Sequence, residues 1–207
     1  QTTSPAVAQH LWEQRENLIK DGRFAGREQY VTVLFSDTCG FTSVSEQLTP
    51  SALMEWLNRG ISLSVEAVTS RGGMVNKFTG DGMLAVFGAP LSSGAAVDAQ
   101  QAVAAAMAIQ SKLDALNIEL EREGLPPQRM RIGIHSGQVL TGSLGSTERL
   151  EYALIGDTVN CASRLESLQK EHHPNTVRLL ISGETQQLLT ELPEQARQEP
   201  WGTIHVK

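Results

Sequence analysis

No apolar run in the chain approaches the ~20 residues that a helix needs to cross a bilayer, so no membrane span is expected. Cysteine is scarce: Cys39 and Cys161 are the only two. They have neither zinc-site spacing nor the pattern of a disulfide framework, which fits a reducing, cytoplasmic compartment. Positive charge is in deficit, with 17 Lys and Arg against 23 Asp and Glu for a net charge of −6. A nucleic-acid surface needs clustered cations to neutralise phosphates, so this balance argues against such a partner. A small anionic ligand held through metal ions remains compatible. Internal repeats and low-complexity tracts are also missing, and residues 1–9 lack the basic start and apolar centre of a secretory leader. The first residue is not Met, which reads as a piece of a longer polypeptide with a regulatory part upstream.

What the chain does contain suits one domain with a substantial core: 207 residues, 40% apolar and 19% charged. Two apolar, strand-like runs, Met74 to Thr79 and Met83 to Phe87, flank Gly80-Asp81-Gly82, a strong hairpin signal. Turn chemistry alone accounts for it, with Asp81 tolerating a left-handed backbone, Gly82 supplying positive φ and Lys77 a solvated strand residue. Residues 7–19 form a weak amphipathic helical pattern ending near Asp21-Gly22, so residues 1–28 read as an N-terminal linker and helix ahead of a domain over 29–207.

Gln29 to Ser36 is a buried-strand run ended by Asp37. A short helix after Gly40 precedes a longer one opened by Thr49-Pro50, with Met54, Leu57, Ile61, Val65 and Val68 at helical steps. Ala95 to Glu123 is a helix. Arg129 to Ser136 reads as a strand, with Gly137 introducing a second one to Gly142. Leu150 to Ile155 is a strand and Gly156 to Lys170 a helix with Cys161, Leu165 and Leu168 on its buried face. A strand over 176–182, a helix over 183–190 and a final strand over 202–207 follow. This order predicts an α+β fold with a ferredoxin-like split βαβ core, a mostly antiparallel sheet covered by helices.

Asp37 ends one strand and Asp81 sits at the end of another. Hard divalent cations such as Mg²⁺ bind through one or two carboxylates plus substrate phosphates, so the pair suffices as a metal site if the strands are neighbours. Thr38, Cys39, Gly40, Phe41 and Thr42 lead into a helix whose free N–H groups can cradle phosphate oxygens. Asn160 and Arg164 are four residues apart and share one helix face, where they act on one ligand or are plain surface residues.

Four stretches, VTVLFSDTCGFTSVSE (31–46), NKFTGDGMLAVFG (76–88), RIGIHSGQVLTGSLG (131–145) and YALIGDTVNCASRLES (152–167), resemble in order and separation the catalytic domains of class III nucleotidyl cyclases. The closing GTIHVK resembles that family's last strand. The resemblance implies a homodimer with two active sites shared across the interface, each using two divalent metal ions, Mg²⁺ or Mn²⁺. Asp37 and Asp81 match the metal-binding aspartates of one protomer. Asn160 and Arg164 match the residues that position the ribose and stabilise the reacting phosphate, supplied by the other. Lys207 matches the lysine on the terminal phosphates. Lys77 matches the base-reading position and carries the residue of adenylyl rather than guanylyl cyclases. At the second base-reading position those adenylyl cyclases usually have Asp or Thr, and this chain has Ala153, whose methyl group cannot hydrogen-bond a purine. The implied reaction is conversion of a nucleoside triphosphate, ATP preferred, to the 3′,5′-cyclic monophosphate and pyrophosphate. The alternatives are a guanylyl cyclase using GTP and a non-catalytic nucleotide-sensing dimerisation module.

Overall fold

The computed structural model describes residues 19–20, 23–145, 150–168, 175–191, 199–200 and 202. Its centre is β3 (Arg27–Thr38), where Val31, Val33 and Leu34 are almost wholly buried because both faces of the strand are covered. From it the chain runs through α1 (Phe41–Ser45), α2 (Pro50–Thr69), β4 (Met74–Phe78), β5 (Met83–Phe87), α3 (Ala95–Arg122) and β6 (Met130–Gly145). The sheet order β4-β5-β3-β6, antiparallel at every step, together with the β-α-β-β-α-β sequence of elements, makes the expected split βαβ core. β7 (Leu150–Ile155) extends it antiparallel along the end of β6, and β8 (Val177–Ile181) lies parallel to the start of β6. The remaining helices are α4 (Asp157–Ser167) and α5 (Gly183–Leu188).

Helix α2 starts where Thr49 predicts, its side chain accepting the Ala52 N–H at 3.4 Å with Pro50 at the first helical position. Helices α2 and α3 bury Trp56, Leu57, Ile109 and Leu113 against Leu34, Phe87, Ile132 and Ile134 on one face of the sheet. Each such side chain contributes on the order of 2 kcal/mol by leaving water. The alternate strand positions, Val31, Val33, Leu84, Val86 and Val139, face the other way and pack with Ala162 of α4.

Four expectations need correction. Ile19 and Lys20, assigned to the end of a helix, form a short strand β1 that pairs with β2 (Arg23–Phe24); residues 7–18 lie outside the described residues. The two strands divided at Gly137 are one 16-residue strand. Gly137 is there because a Cβ would lie 2.6 Å from Thr158 Oγ1 of α4, so the glycine serves close packing and not a turn. The buried stripe of α4 is Thr158, Ala162 and Glu166, with Cys161, Leu165 and Leu168 half-buried. The hydrophobic reading missed a carboxylate that is buried through an ion pair. The helix expected to reach Thr190 ends at Leu188. The final strand at 202–207 falls almost wholly outside the described residues.

Candidate active site

Asp37 and Asp81 meet because β3 and β5 are hydrogen-bonded neighbours, with Ser36 opposite Met83 at their ends. Gly82 makes the fit possible: a Cβ there would stand 1.9 Å from the Ser36 carbonyl oxygen and 2.9 Å from Asp37 Cα. The left-handed turn residue expected at Gly82 is instead Gly80, at φ 84°. Thr38 Oγ1 donates to the Asp81 carbonyl oxygen at 2.6 Å and pins the hairpin to the end of β3. The two carboxyl groups are close enough to interact: burial, with the Asp37 charge as the next cause, pushes the Asp81 pKa above the usual carboxylate range. Two oxygen donors whose like charges oppose each other fit a hard divalent cation, which relieves that repulsion. Among the described residues no cluster of three or more His, Cys, Asp and Glu forms a metal site.

A cation not foreseen from the sequence stands beside this pair. Arg131 of β6, opposite Asp37 in the ladder, is 7% exposed and donates from Nη2 to Asp37 Oδ2. Its Nε donates to Glu166 Oε1 of α4 at 2.8 Å, and its Nη1 to Cys39 Sγ at 3.4 Å. Burial works against its charge, but Glu166 and the neighbouring anionic groups outweigh it and leave the pKa raised. Arg178 of β8 joins the cluster, donating to the main-chain carbonyls of Glu166 and Leu168. The available signal was an arginine set between Met130 and Ile132 in an otherwise apolar, buried strand.

Of the five residues expected to cradle phosphate, two have polar groups that are already engaged. The Cys39 N–H donates to the Arg129 carbonyl at 2.8 Å, and the Thr38 hydroxyl is committed to Asp81. What remains is the start of α1, where Gly40 takes φ 72° and Phe41 and Thr42 occupy the first turn, whose amides have no intrahelical acceptor. Burial pushes the Cys39 thiol up, so it packs here as a neutral group.

Asn160 is exposed and Arg164 is 38% exposed at its side chain, with Asp157 Oδ1 4.0 Å from Arg164 Nη1. They share a face of α4, as their spacing requires. That face lies about half a turn from Thr158, Ala162 and Glu166, the residues seated on the sheet. The fold therefore turns Asn160 and Arg164 away from the aspartates of the same chain. Lys77 is exposed on β4 just after a bulge, opposite Leu84. Its neighbour Asn76 donates from Nδ2 to the Tyr152 carbonyl at 2.7 Å, which ties β4 to the strand carrying Ala153, itself paired with Gly142. Lys207 lies outside the described residues.

The sequence profile of the adenylate and guanylate cyclase catalytic domain matches residues 25–207. Adenylate cyclase 1 of Rhizobium meliloti (strain 1021) is 35% identical over 192 residues, covering 91% of this chain and 28% of that protein. The chain thus spans less than a third of that curated relative. Among solved structures, the adenylyl cyclase CyaB from P. aeruginosa superposes with a TM-score of 0.73 at 35% identity, covering 80% of this chain and 82% of that one. The guanylyl cyclase Cya2 superposes equally well, TM-score 0.73 at 32% identity, covering 84% and 90%. With its motifs in order on a matching fold, the chain belongs to the class III nucleotidyl cyclases, the family of adenylate and guanylate cyclase catalytic domains.

Proposed function

We propose that the domain converts ATP to cyclic AMP and pyrophosphate at sites shared between two copies of the chain, as part of a longer cytoplasmic signalling protein with an upstream regulatory domain. The observation that carries this reading is the division of labour in one protomer: Asp37 and Asp81 beside each other at neighbouring strand ends, Asn160 and Arg164 turned away from them. A complete constellation then needs a second chain. An apolar strip on the β6–β7 edge suits that partner: Leu140, Leu144 and Ile155 are 47%, 59% and 53% exposed, with Leu140 and Ile155 opposite each other in the ladder. No helix among the described residues is long and apolar enough to cross a membrane.

In the reaction the ribose 3′-hydroxyl gives its proton to water or to a substrate phosphate oxygen, its oxygen attacks the α-phosphorus, the bond from that phosphorus to the bridging β-phosphate oxygen breaks, and pyrophosphate leaves with the electron pair. Asp37 and Asp81 would hold two Mg²⁺ or Mn²⁺ ions, which when bound supply Lewis-acid polarisation of the phosphates and a lower pKa for the 3′-hydroxyl. Arg131 stays beside the aspartates as a fixed positive charge. Amides at the start of α1, from Gly40 to Thr42, donate to the polyphosphate oxygens. From the second copy, Asn160 positions the ribose and Arg164 offsets charge developing on the reacting phosphate, an effect worth ~3 kcal/mol for one preorganised donor. Lys207 is assigned to the terminal phosphates. Lys77 reads the base by donating to adenine N1, which in guanine is protonated and repels it.

A guanylyl cyclase is the second reading, favoured by Ala153, which removes a polar contact to the purine, and by the equal superposition on Cya2. Product analysis of the purified domain given equal ATP and GTP with Mn²⁺ decides between them. Cyclic AMP is the expected major product, and predominant cyclic GMP overturns the choice of base. Restoring a hydrogen-bonding group with A153T is expected to raise the ATP-over-GTP ratio of kcat/KM by about tenfold, the worth of one hydrogen bond.

A further inference from the structure

Glu166 sits between two parts of the chemistry. It is on α4, two residues beyond Arg164, yet points the opposite way: Arg131 Nε donates to its carboxylate at 2.8 Å, both side chains being 8% exposed. The far end of the same guanidinium reaches Asp37. The helix cannot slide away from this contact, because it lies directly on β6 at Gly133, where a Cβ would be 2.3 Å from both Ala162 O and Glu166 N. Arg178 holds the Glu166 carbonyl from the other side. A buried carboxylate is costly, and a purely structural helix would place an apolar residue at this position. The charges also bear on cation binding. Asp37, Asp81 and Glu166 face Arg131 and Arg178, a formal excess of one negative charge that the Glu166 carboxylate completes.

We infer that Glu166 is a positioning residue: it aims Arg131 at Asp37 while offsetting its charge, and so ties the helix carrying Asn160 and Arg164 to the metal aspartates of the same protomer. Given the shared-site reading proposed above, on which this second half rests, one protomer thereby links nucleotide seating in one active site to the metal end of the other. Such a link is reciprocal, since whatever shifts α4 on binding nucleotide must shift Arg131, and the converse.

The test uses E166Q and E166D in the purified domain with Mn²⁺ as the probe. Free Mn²⁺ followed by EPR, without nucleotide, is expected to show about tenfold weaker binding for E166Q and recovery of most of it in E166D, which keeps the charge. Unfolding temperatures are measured alongside. Unchanged Mn²⁺ binding in E166Q, or a loss that tracks unfolding and is not rescued by E166D, overturns the positioning role. The link between sites is read in a mixed dimer of one Asp37→Ala protomer and one Asn160→Ala protomer, which retains one intact site. E166Q in the Asn160→Ala protomer, the one supplying that site's aspartates, is expected to raise the Mn²⁺ needed for half-maximal turnover about tenfold. E166Q in the other protomer is expected to raise the nucleotide KM and leave the Mn²⁺ requirement unchanged. Equal effects from both placements overturn the link. An inactive mixed dimer without E166Q overturns the shared-site reading, and the EPR result then decides the positioning role separately.

Discussion

Asp81→Asn is expected to abolish cyclase turnover in a domain that stays folded. Asparagine keeps the shape and the backbone contacts, including the 2.6 Å bond from Thr38 to the residue 81 carbonyl, but removes the charge that a divalent cation requires. The loss should reach about a thousandfold in kcat, or ~4 kcal/mol of transition-state stabilisation. Asp37→Asn should behave similarly in activity. Stability should move the other way for residue 81. Burial and the adjacent Asp37 raise the Asp81 pKa, so folding disfavours its ionised form. An acid of this kind lowers stability as pH rises through its titration, and the penalty is absent where it is protonated in both folded and unfolded chains. The Asn variant should therefore melt at or above the wild-type temperature at pH 7, with the advantage fading towards pH ~4. Calorimetry across pH beside a cyclase assay checks both halves. Retained turnover sinks the metal assignment, and a large fall in melting temperature sinks the electrostatic account.

Gly133→Ala is expected to disturb the fold and the site together. The added methyl would stand 2.3 Å from two main-chain atoms of α4, and backbone cannot give way as a flexible side chain can. Overpacking of this kind costs about 3 kcal/mol, a fall of roughly 6–12 °C in melting temperature for a domain of this size. Any protein that still folds should carry α4 displaced from β6, with a raised nucleotide KM because Asn160 and Arg164 move with the helix. Gly183→Ala is the control, since nothing lies within 4 Å of a Cβ there. Equal melting temperatures for the two variants would show that α4 does not need this close approach.

Much of the fold was legible from local pattern. The run ending at Asp37, the hairpin around Asp81 and the start of α2 at Thr49-Pro50 all follow from strand composition, turn residues and capping. The errors share a cause. Gly137 looked like a break between strands because glycine usually punctuates, and only the helix packed across it explains a glycine inside one long strand. Gly82 looked like the left-handed turn residue, when its missing side chain is needed by the neighbouring strand. Leu165 and Leu168 were placed on the buried face of α4 by hydrophobicity, while the face that packs is set by Ala162 and by the partnered Glu166. A glycine in a sequence does not say whether backbone freedom or space is wanted, and a glutamate does not say that an arginine 35 residues away will meet it.

Residue chemistry and spacing were enough to place most of the strands and helices and to single out the two aspartates and the Asn160–Arg164 pair as candidates, because each depends on neighbours within a few positions along the chain. Three things were decided only in the folded molecule: the close approach of Asp37 and Asp81, the buried Arg131–Glu166 bridge, and the turning of Asn160 and Arg164 away from those aspartates. All three depend on the order of strands in the sheet and on which face of α4 lies against β6. Those are set by packing among residues distant in sequence, where a shift of one position sends a side chain to the opposite side.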